Sequence, residues 1–215
     1  MDVRKLIDNS LLKPNVSEKE VEEFVIRSAE IGFYAVCVNP YHVKLAKEVG
    51  GDRIVVCSVA GFPLGLNVKE VKVHEAVRAV DDGAEEIDIV MNISAFKSGK
   101  YRYVEEELKA VKRETGVVLK AIIETCYLSR EEKLKAVEVC IEAEADFVKT
   151  STGFAEGGAT LEDVRLLKEA AGGRIKVKAA GGIRSLKDAL AMIEAGADRL
   201  GTSRGLEIYK ESQEA

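Results

Sequence analysis

The chain alternates between two kinds of segment along its whole length, and this alternation most constrains its fold. Seven short apolar runs are rich in β-branched residues: YAVCVN, RIVVCSVAGF, EEIDIVMNI, VVLKAIIETC, DFVKTST, RIKVKAAGGI and DRLGTS. Between them lie stretches such as SEKEVEEFVIRSAEIG, in which apolar residues recur with the spacing of an amphipathic helix. The N-terminal RKLIDNSLL is a candidate for an eighth strand in first place. The sequence therefore predicts eight strand–helix units.

Eight such units in one chain predict a parallel sheet covered by helices, in the α/β class. An open doubly wound sheet and a closed (β/α)8 TIM barrel both fit this order. The near-regular units, without a GxGxxG motif or a P-loop, favour the barrel, which would be smaller than the usual ~250 residues. Because no Pro/Ser-rich linker interrupts the 215 residues, we expect a single domain spanning residues 1–215. Active sites of such barrels lie at the C-terminal ends of the strands.

Composition argues against several classes of partner. The formal net charge is −5 and no basic stripe is present, which makes a nucleic-acid partner an unfavoured interpretation. No apolar run approaches the ~20 residues of a membrane span, and MDVRKLIDNS lacks the apolar region of a signal peptide. We therefore expect a cytoplasmic protein with no membrane partner. Abundant Glu and Lys with a single Gln is a balance typical of hyperthermophile proteins.

Cysteine and histidine spacing gives no sign of a metal site. The cysteines form no CxxC pair, and each falls in an apolar strand or helix pattern, which predicts buried reduced thiols: Cys37, Cys57, Cys126 and Cys140. His42 and His74 fall in helical patterns without HExxH spacing, so we expect them at the surface or on a helix face and not as metal ligands. We expect neither a metal nor another cofactor.

Ionisable residues recur on the predicted strands at positions that share one face, because alternate residues of a strand point the same way. Lys149 shares a face with Phe147, and Lys120 shares one with Glu124. Asp88 and Lys178 lie on two further strands. A single lysine of this kind has a simpler explanation as a strand-end residue whose amine reaches solvent. Several at once favour lysines and aspartates that face each other inside the barrel, because buried charges need partners.

Such a grouping has a chemical use. An amine held near a second ammonium in a desolvated site loses proton affinity. A neutral amine is a nucleophile that attacks a carbonyl carbon and forms a Schiff base. A neighbouring carboxylate can then move protons. Two lysines and one aspartate are thus the minimal equipment of an aldolase that needs no metal.

Glycine-bearing segments follow the last two predicted strands. AAGGIRS comes after the seventh strand and GTSRG after the eighth, where barrels often bind phosphate through backbone N–H groups. Gly181 and Gly182 would let the backbone approach the anion, and Ser203 and Arg204 could add donors. Gly153 in STGF is a candidate for a third part of the same site. Ordinary turn glycines are the alternative explanation.

Several of these segments resemble the deoxyribose-phosphate aldolases. The resemblance rests on DFVKTSTGF, VKAAGGIR and EIDIVMNI, and it continues through VCVNP, SVAGFPLG, LKAIIET and GTS over essentially the whole chain. It implies a (β/α)8 class I aldolase that interconverts 2-deoxy-D-ribose 5-phosphate with D-glyceraldehyde 3-phosphate and acetaldehyde. These small molecules are the expected partners, and a homo-oligomer, either dimer or tetramer, is the expected assembly.

The resemblance also implies roles for individual residues. Lys149 matches the Schiff-base lysine, Lys178 the second lysine and Asp88 the proton-relay aspartate. Asp8 matches an aspartate near the substrate hydroxyls, and Lys120 an additional strand lysine that we assign to substrate binding. The phosphate would meet the loops that carry the following residues: Gly153, Gly181, Gly182, Ser203 and Arg204.

The chain departs from the family pattern at two places. Phe154 stands where some members have a lysine after STG, and the last tyrosine, Tyr209, is followed by KESQEA instead of ending the chain. Two other interpretations stay open. One is a different phosphate-binding barrel enzyme, such as a sugar-phosphate isomerase or another Schiff-base aldolase. The other is a barrel that binds sugar phosphates without catalysis.

Overall fold

Eight parallel strands close into a barrel in the computed structural model, which describes residues 2–214. The barrel closes where the eighth strand pairs with the first, with Asp8 opposite Gly201. The strands follow chain order around the barrel: β1 Ile7–Leu11, β2 Ala35–Val38, β3 Val55–Ala60, β4 Glu86–Val90, β5 Val118–Ile122, β6 Phe147–Lys149, β7 Lys176–Ala180 and β8 Arg199–Thr202. The predicted (β/α)8 fold is confirmed, including the N-terminal strand. Met1 and Ala215 of the predicted domain lie outside the described residues.

Helices connect successive strands and cover the outside of the barrel. Their bounds are α1 Glu18–Ile31, α2 Val43–Gly50, α3 Lys69–Asp81, α4 Ile93–Lys97, α5 Tyr101–Thr115, α6 Arg130–Glu142, α7 Leu161–Ala171, α8 Leu186–Glu194 and α9 Gly205–Glu214. Seven of them match the helical patterns of the sequence. The short α4 and the terminal α9 do not, because five residues are too few to show a helical period and α9 buries only Gly205 and Ile208.

Several helices begin where the sequence supplies a side chain that satisfies the free backbone N–H groups. Ser17, Ser129 and Ser185 cap α1, α6 and α8, each with an acidic residue three positions later that completes a capping box. These caps fix where the loops over the barrel mouth end. Three 3-10 turns complete the structure, over Val3–Leu6, Pro40–His42 and Thr125–Tyr127.

Apolar and charged side chains are divided between the two surfaces of the sheet. The main hydrophobic core lies between strands and helices, and strand residues such as Val36, Ile87, Leu119 and Val148 are fully buried in it. Buried charged residues occupy alternate positions of the same strands: Asp8, Glu86, Asp88, Lys120, Lys149, Lys178 and Arg199. The inside of the barrel therefore holds a cluster of charges, as the alternation predicted.

Two smaller expectations are wrong. Cys126 is exposed, because it lies in the 3-10 turn after β5 instead of in the strand; Cys37, Cys57 and Cys140 are buried as predicted. His42 is buried, because it lies in the turn before α2 with its side chain directed inward. Within residues 2–214, every helix is too short or too polar to cross a membrane.

Ion pairs link neighbouring units at the end of the barrel opposite the C-terminal strand ends. Lys112, on α5, lies 2.6 Å from Asp146 before β6, and Lys168, on α7, lies 2.7 Å from Asp198 before β8. Each aspartate also accepts a backbone N–H of the adjacent strand. Such networks stabilise proteins chiefly at high temperature.

We therefore expect a thermal unfolding midpoint above ~90 °C, the usual mark of a hyperstable protein. Scanning calorimetry of the purified protein measures it directly. A midpoint near ~55 °C, typical of mesophilic domains, would contradict the inference from composition and ion pairs. It would leave the interpretation of the active site unchanged.

Candidate active site

A cavity of about 860 Å³ opens at the C-terminal ends of the strands. Lys149, Lys178 and Asp8 contribute to its lining from inside the barrel. The remaining lining includes the residues predicted to meet phosphate, on the loops after β6, β7 and β8: Gly153, Gly181, Gly182, Ser203 and Arg204. The structure thus brings nearly all of the predicted site residues to one cavity.

Lys149 and Lys178 share one carboxylate oxygen at this cavity. They are paired neighbours on β6 and β7. Their Nζ atoms lie 2.6 and 2.7 Å from Oδ2 of Asp88, which reaches them from β4. Burial alone would raise the pKa of the Asp88 carboxyl, but the ammonium groups of Lys120, Lys149 and Lys178 hold that pKa well below its usual range. Asp88 is therefore a carboxylate that anchors both lysines.

The two lysines differ in how many carboxylates they contact. Lys178 also lies 2.5 Å from Oδ2 of Asp8. Burial would lower the pKa of Lys178, but Asp8 and Asp88 together raise it above its usual value, so Lys178 keeps its proton. Lys149 contacts Asp88 alone. Lys178 is therefore held by two carboxylates and Lys149 by one.

Lys120 lies beneath the cavity instead of lining it. Its Nζ is 2.8 Å from Oδ1 of Asp88 and 2.6 Å from Oε2 of Glu86, and its side chain is fully buried. The attraction of Asp88 and Glu86 outweighs the effect of burial and raises the pKa of Lys120 well above its usual value. This lysine holds Asp88 from below, on the oxygen that Lys149 and Lys178 do not use.

The motifs did not single out Arg199 as a member of the site. Its Nη1 lies 2.8 Å from Oδ1 of Asp8, and its guanidinium carbon lies 3.4 Å from the centre of the Tyr34 ring. Arg199 also approaches Glu86 at 3.5 Å. Strand alternation alone could have placed Arg199 inside the barrel. Arg199 lies two residues before Gly201 on β8, and alternate residues of a strand share a face.

Together these residues form one buried charge network. It contains three carboxylates and four basic groups: Asp8, Glu86 and Asp88, with Lys120, Lys149, Lys178 and Arg199. If all four basic groups carry a proton, the network has an excess of one positive charge. Each of these basic groups lies against at least one carboxylate, as buried charges require.

The glycine-bearing loops leave backbone donors free at the cavity. Within residues 2–214, the amides of Gly153, Gly181, Gly182 and Ser203 donate no hydrogen bond to the protein. Gly181 packs so closely on the β6 loop that a Cβ on Gly158 would lie 2.4 Å from its carbonyl oxygen. Unpaired N–H groups at such a site favour an anion. The guanidinium of Arg204 is 2.8 Å from Glu207, which offsets part of its charge.

The two departures from the family pattern have clear positions. The ring of Phe154 packs edge-on against Phe62 at 5.2 Å, and the side chain is 51% exposed, so an apolar contact occupies this part of the rim. Tyr209 lies on α9, with its ring 5.7 Å from the guanidinium of Arg4. Arg4 precedes β1, so Tyr209 lies at the opposite end of the barrel from the cavity.

A possible metal-ligand group occurs inside the barrel. The ligand atoms of Cys37, Cys57 and Asp88 lie within 4.8 Å of one another, and no other such group occurs among residues 2–214. However, Asp88 is already bonded to Lys120, Lys149 and Lys178, and Cys57 lies 3.2 Å from its Oδ1. Three neighbouring ammonium groups repel a cation, so the charges around this group do not fit a metal ion.

A (β/α)8 barrel with paired lysines and a carboxylate at its mouth has the architecture of a barrel aldolase. The comparisons with known proteins then identify the family. Residues 3–211 match the model of the DeoC/LacD family aldolases, and the chain belongs to this family. The protein is therefore an aldolase, an enzyme of the lyase class.

Individual relatives are similar over nearly the whole chain. The chain is 65% identical to a deoxyribose-phosphate aldolase of Aquifex aeolicus, over 98% of this chain and 96% of the relative. It superposes on the solved structure of an aldolase named QR15 with a TM-score of 0.97 and 64% identity, covering 100% and 97% of the two chains. A tetrameric deoxyribose phosphate aldolase of Aeropyrum pernix gives a TM-score of 0.92 at 32% identity, covering 99% and 91%. The relatives include proteins of thermophiles.

Proposed function

We propose that the chain is a class I aldolase that interconverts 2-deoxy-D-ribose 5-phosphate with D-glyceraldehyde 3-phosphate and acetaldehyde through a Schiff base on Lys149. The observation that carries the proposal is the shared contact of Lys149 and Lys178 with Oδ2 of Asp88, at 2.6 and 2.7 Å, beside the cavity. The names of the relatives support the substrate.

The chemistry follows from a neutral amine at this position. The Lys149 nitrogen attacks the C1 aldehyde of the open-chain sugar, and loss of water from the resulting carbinolamine gives an iminium ion. Removal of the proton from the C3 hydroxyl breaks the C2–C3 bond, and its electron pair moves toward the iminium nitrogen to form an enamine. Glyceraldehyde 3-phosphate leaves as the C3 hydroxyl becomes a carbonyl. Protonation of the enamine at C2 and addition of water release acetaldehyde and regenerate the lysine.

The neighbouring residues then have separate roles. Asp88 accepts and returns protons beside Lys149, because its Oδ2 is within hydrogen-bond distance of that nitrogen. Lys178 keeps its positive charge, which disfavours a second positive charge on the neighbouring amine of Lys149. Lys120 holds Asp88 in place from below. Asp8 orients Lys178 at the edge of the cavity that the sugar hydroxyls would reach.

The phosphate would bind to the free amides of the loops after β6, β7 and β8. These donors are fixed dipoles that favour a dianion without a dedicated lysine. Ser203 and Arg204 border the same part of the cavity. Binding the phosphate far from the bond that breaks would position the sugar over Lys149.

We further propose that the protein acts in the cytoplasm as a dimer or tetramer. Free cysteines, including the exposed Cys126, suit a reducing compartment. Exposed apolar side chains such as Leu64, Leu66 and Val68 on the β3–α3 loop suit contact with another subunit. The tetrameric relative supports the same assembly. Light scattering of the purified protein measures it.

Reductive trapping tests the proposed chemistry. Acetaldehyde is expected to form an imine with Lys149, and borohydride to reduce this imine to an ethyl group on the lysine nitrogen. Peptide mass spectrometry locates the added mass. Deoxyribose 5-phosphate with borohydride is expected to add mass to the same lysine, as the reduced sugar adduct or as an ethyl group after cleavage. Lys149→Met is the matched control and should incorporate no label in the cavity. A label on another lysine, or full activity of Lys149→Met, would show that the reaction does not pass through this Schiff base.

A further inference from the structure

Glu124 has an unusual backbone conformation at the end of β5. Its φ of 51° and ψ of 71° place it in the left-handed region, which only one other non-glycine residue of the described chain, Glu144, shares. Glu144 lies in the ordinary turn between α6 and β6. Glu124 lies at the barrel mouth, and only 1% of the residue is exposed. Backbone strain at such a place is retained where the surrounding structure requires it.

The backbone on both sides of Glu124 is fixed by hydrogen bonds to the neighbouring chain. The amide of Ile123 donates to the carbonyl of Lys149 at 3.0 Å, and the amide of Thr125 donates to that of Thr150 at 2.9 Å. The pairing of β5 with β6 thus continues past the ends of both strands. Glu124 is held between these two contacts, and its side chain points under the loop that follows Lys149.

The carboxylate of Glu124 binds that loop through Thr152. The Thr152 amide donates to Oε1 and Oε2 at 3.2 and 3.3 Å, and the Thr152 hydroxyl donates to Oε2. The hydroxyl oxygen in turn accepts the amide of Phe154 at 3.1 Å. These bonds occupy the amides on both sides of Gly153. Of the three amides from Thr152 to Phe154, only that of Gly153 donates no hydrogen bond, and Gly153 lines the cavity.

Glu124 makes no ion pair within residues 2–214. Burial raises the pKa of its carboxyl, and the bonds from Thr152 and the more distant charge of Lys149 act in the opposite direction. A nearly buried carboxylate that forms no ion pair is costly, so its retention needs a reason. The contacts with Thr152 supply one, because they determine which amide of the loop faces the cavity.

We propose that Glu124 is a positioning residue for the phosphate group of the substrate: by binding Thr152, it presents the Gly153 amide to the cavity as an anion donor. This inference rests on the proposed function, since it assumes that the cavity takes a sugar phosphate. Glu124 is not among the residues that line the cavity. Its removal should therefore weaken recognition of phosphate while the amine of Lys149 still forms imines.

Three substitutions separate the carboxylate from the strained backbone. Glu124→Ala removes the carboxylate, Glu124→Gly removes it and accepts the left-handed conformation without strain, and Glu124→Gln keeps an oxygen acceptor of the same length. Each protein is assayed for kcat and KM with deoxyribose 5-phosphate and with deoxyribose. Inorganic phosphate serves as a competitive inhibitor that reports on the anion site alone.

The glycine variant is expected to raise the KM for deoxyribose 5-phosphate and the inhibition constant of phosphate about tenfold, the effect of leaving a hydrogen-bonded loop unsupported. The KM for unphosphorylated deoxyribose and the rate of acetaldehyde trapping at Lys149 should change much less. Glu124→Gln should lie closer to the native protein than Glu124→Gly does. The alanine variant should resemble the glycine variant with lower stability, because alanine retains the backbone strain that glycine relieves.

Other results would overturn the assignment. If Glu124→Gly binds phosphate as tightly as the native protein, the carboxylate does not position the loop. If it weakens both sugars equally, or if Glu124→Gln loses as much as glycine does, the residue serves the fold or acts through its charge. Failure of the proposed function is distinguishable, because the native protein itself would then fail to trap acetaldehyde on Lys149.

Discussion

Lys178→Leu is expected to lower the turnover of deoxyribose 5-phosphate at neutral pH about a hundredfold to a thousandfold, the usual effect of losing one electrostatic contact in an active site. In the native protein, Lys149 and Lys178 share Oδ2 of Asp88. Without Lys178, Oδ2 of Asp88 contacts only Lys149, and no like charge lies beside that amine. Both changes stabilise the ammonium form of Lys149. The neutral nucleophile becomes rarer, so activity should recover partly as the pH is raised. The measurement is kcat as a function of pH from acidic to alkaline buffers.

Lys120→Leu is the matched control for this variant. Lys120 is as deeply buried and also contacts Asp88, but it does so through Oδ1, away from Lys149. Both substitutions remove one buried positive charge, so both should cost stability. Only Lys178→Leu should move the best activity to higher pH, and it should lose more turnover than Lys120→Leu. Equal losses with unshifted profiles would show that Lys178 is a structural residue.

The sequence predicted the position of the lysine–aspartate cluster because strand alternation is a local property. Each of Asp88, Lys120, Lys149 and Lys178 could be assigned to a strand face from its neighbours alone. A closed parallel barrel then brings the inner faces of different strands together, whatever the details of the register. The structure confirms that these four side chains meet inside the barrel. Their roles in catalysis stay predictions until the variants are measured.

Contacts that depend on register could not be predicted in this way. Which oxygen of Asp88 each lysine binds depends on how far neighbouring strands are staggered, and no single strand encodes that offset. The contact between Asp8 and Arg199 likewise depends on where β8 closes against β1. Strand alternation placed Glu124 on the face of Lys120 but did not predict its contact with Thr152. Its role depends on a left-handed backbone, which a glutamate in a strand-like pattern gives no reason to expect.

A second buried ion pair lies outside the barrel, where helices α3 and α5 cover β4. The side chains of Lys72 and Glu107 are 0% exposed, and Nζ of Lys72 lies 2.8 Å from Oε1 of Glu107. Lys72 also donates to the carbonyl of Val90 at 2.9 Å, and Glu107 accepts the amide of Asn92 at 3.0 Å. The pair therefore fixes the chain just after Asp88. Burial lowers the pKa of Lys72 and raises that of Glu107, so each side chain needs the other to stay charged.

Lys72→Met is expected to lower the free energy of unfolding by about 3–5 kcal/mol, because it leaves the buried carboxylate of Glu107 without a partner. Adding Glu107→Gln should restore most of this loss, since the amide carries no charge and its oxygen can still accept from Asn92. Guanidinium unfolding at 25 °C measures both proteins. Lys19→Met, which removes an exposed pair with Glu23 at 3.9 Å, is the control and should leave stability nearly unchanged. If the double variant is less stable than Lys72→Met, the lysine and the glutamate act independently, and the unpaired carboxylate is not the cause of the loss.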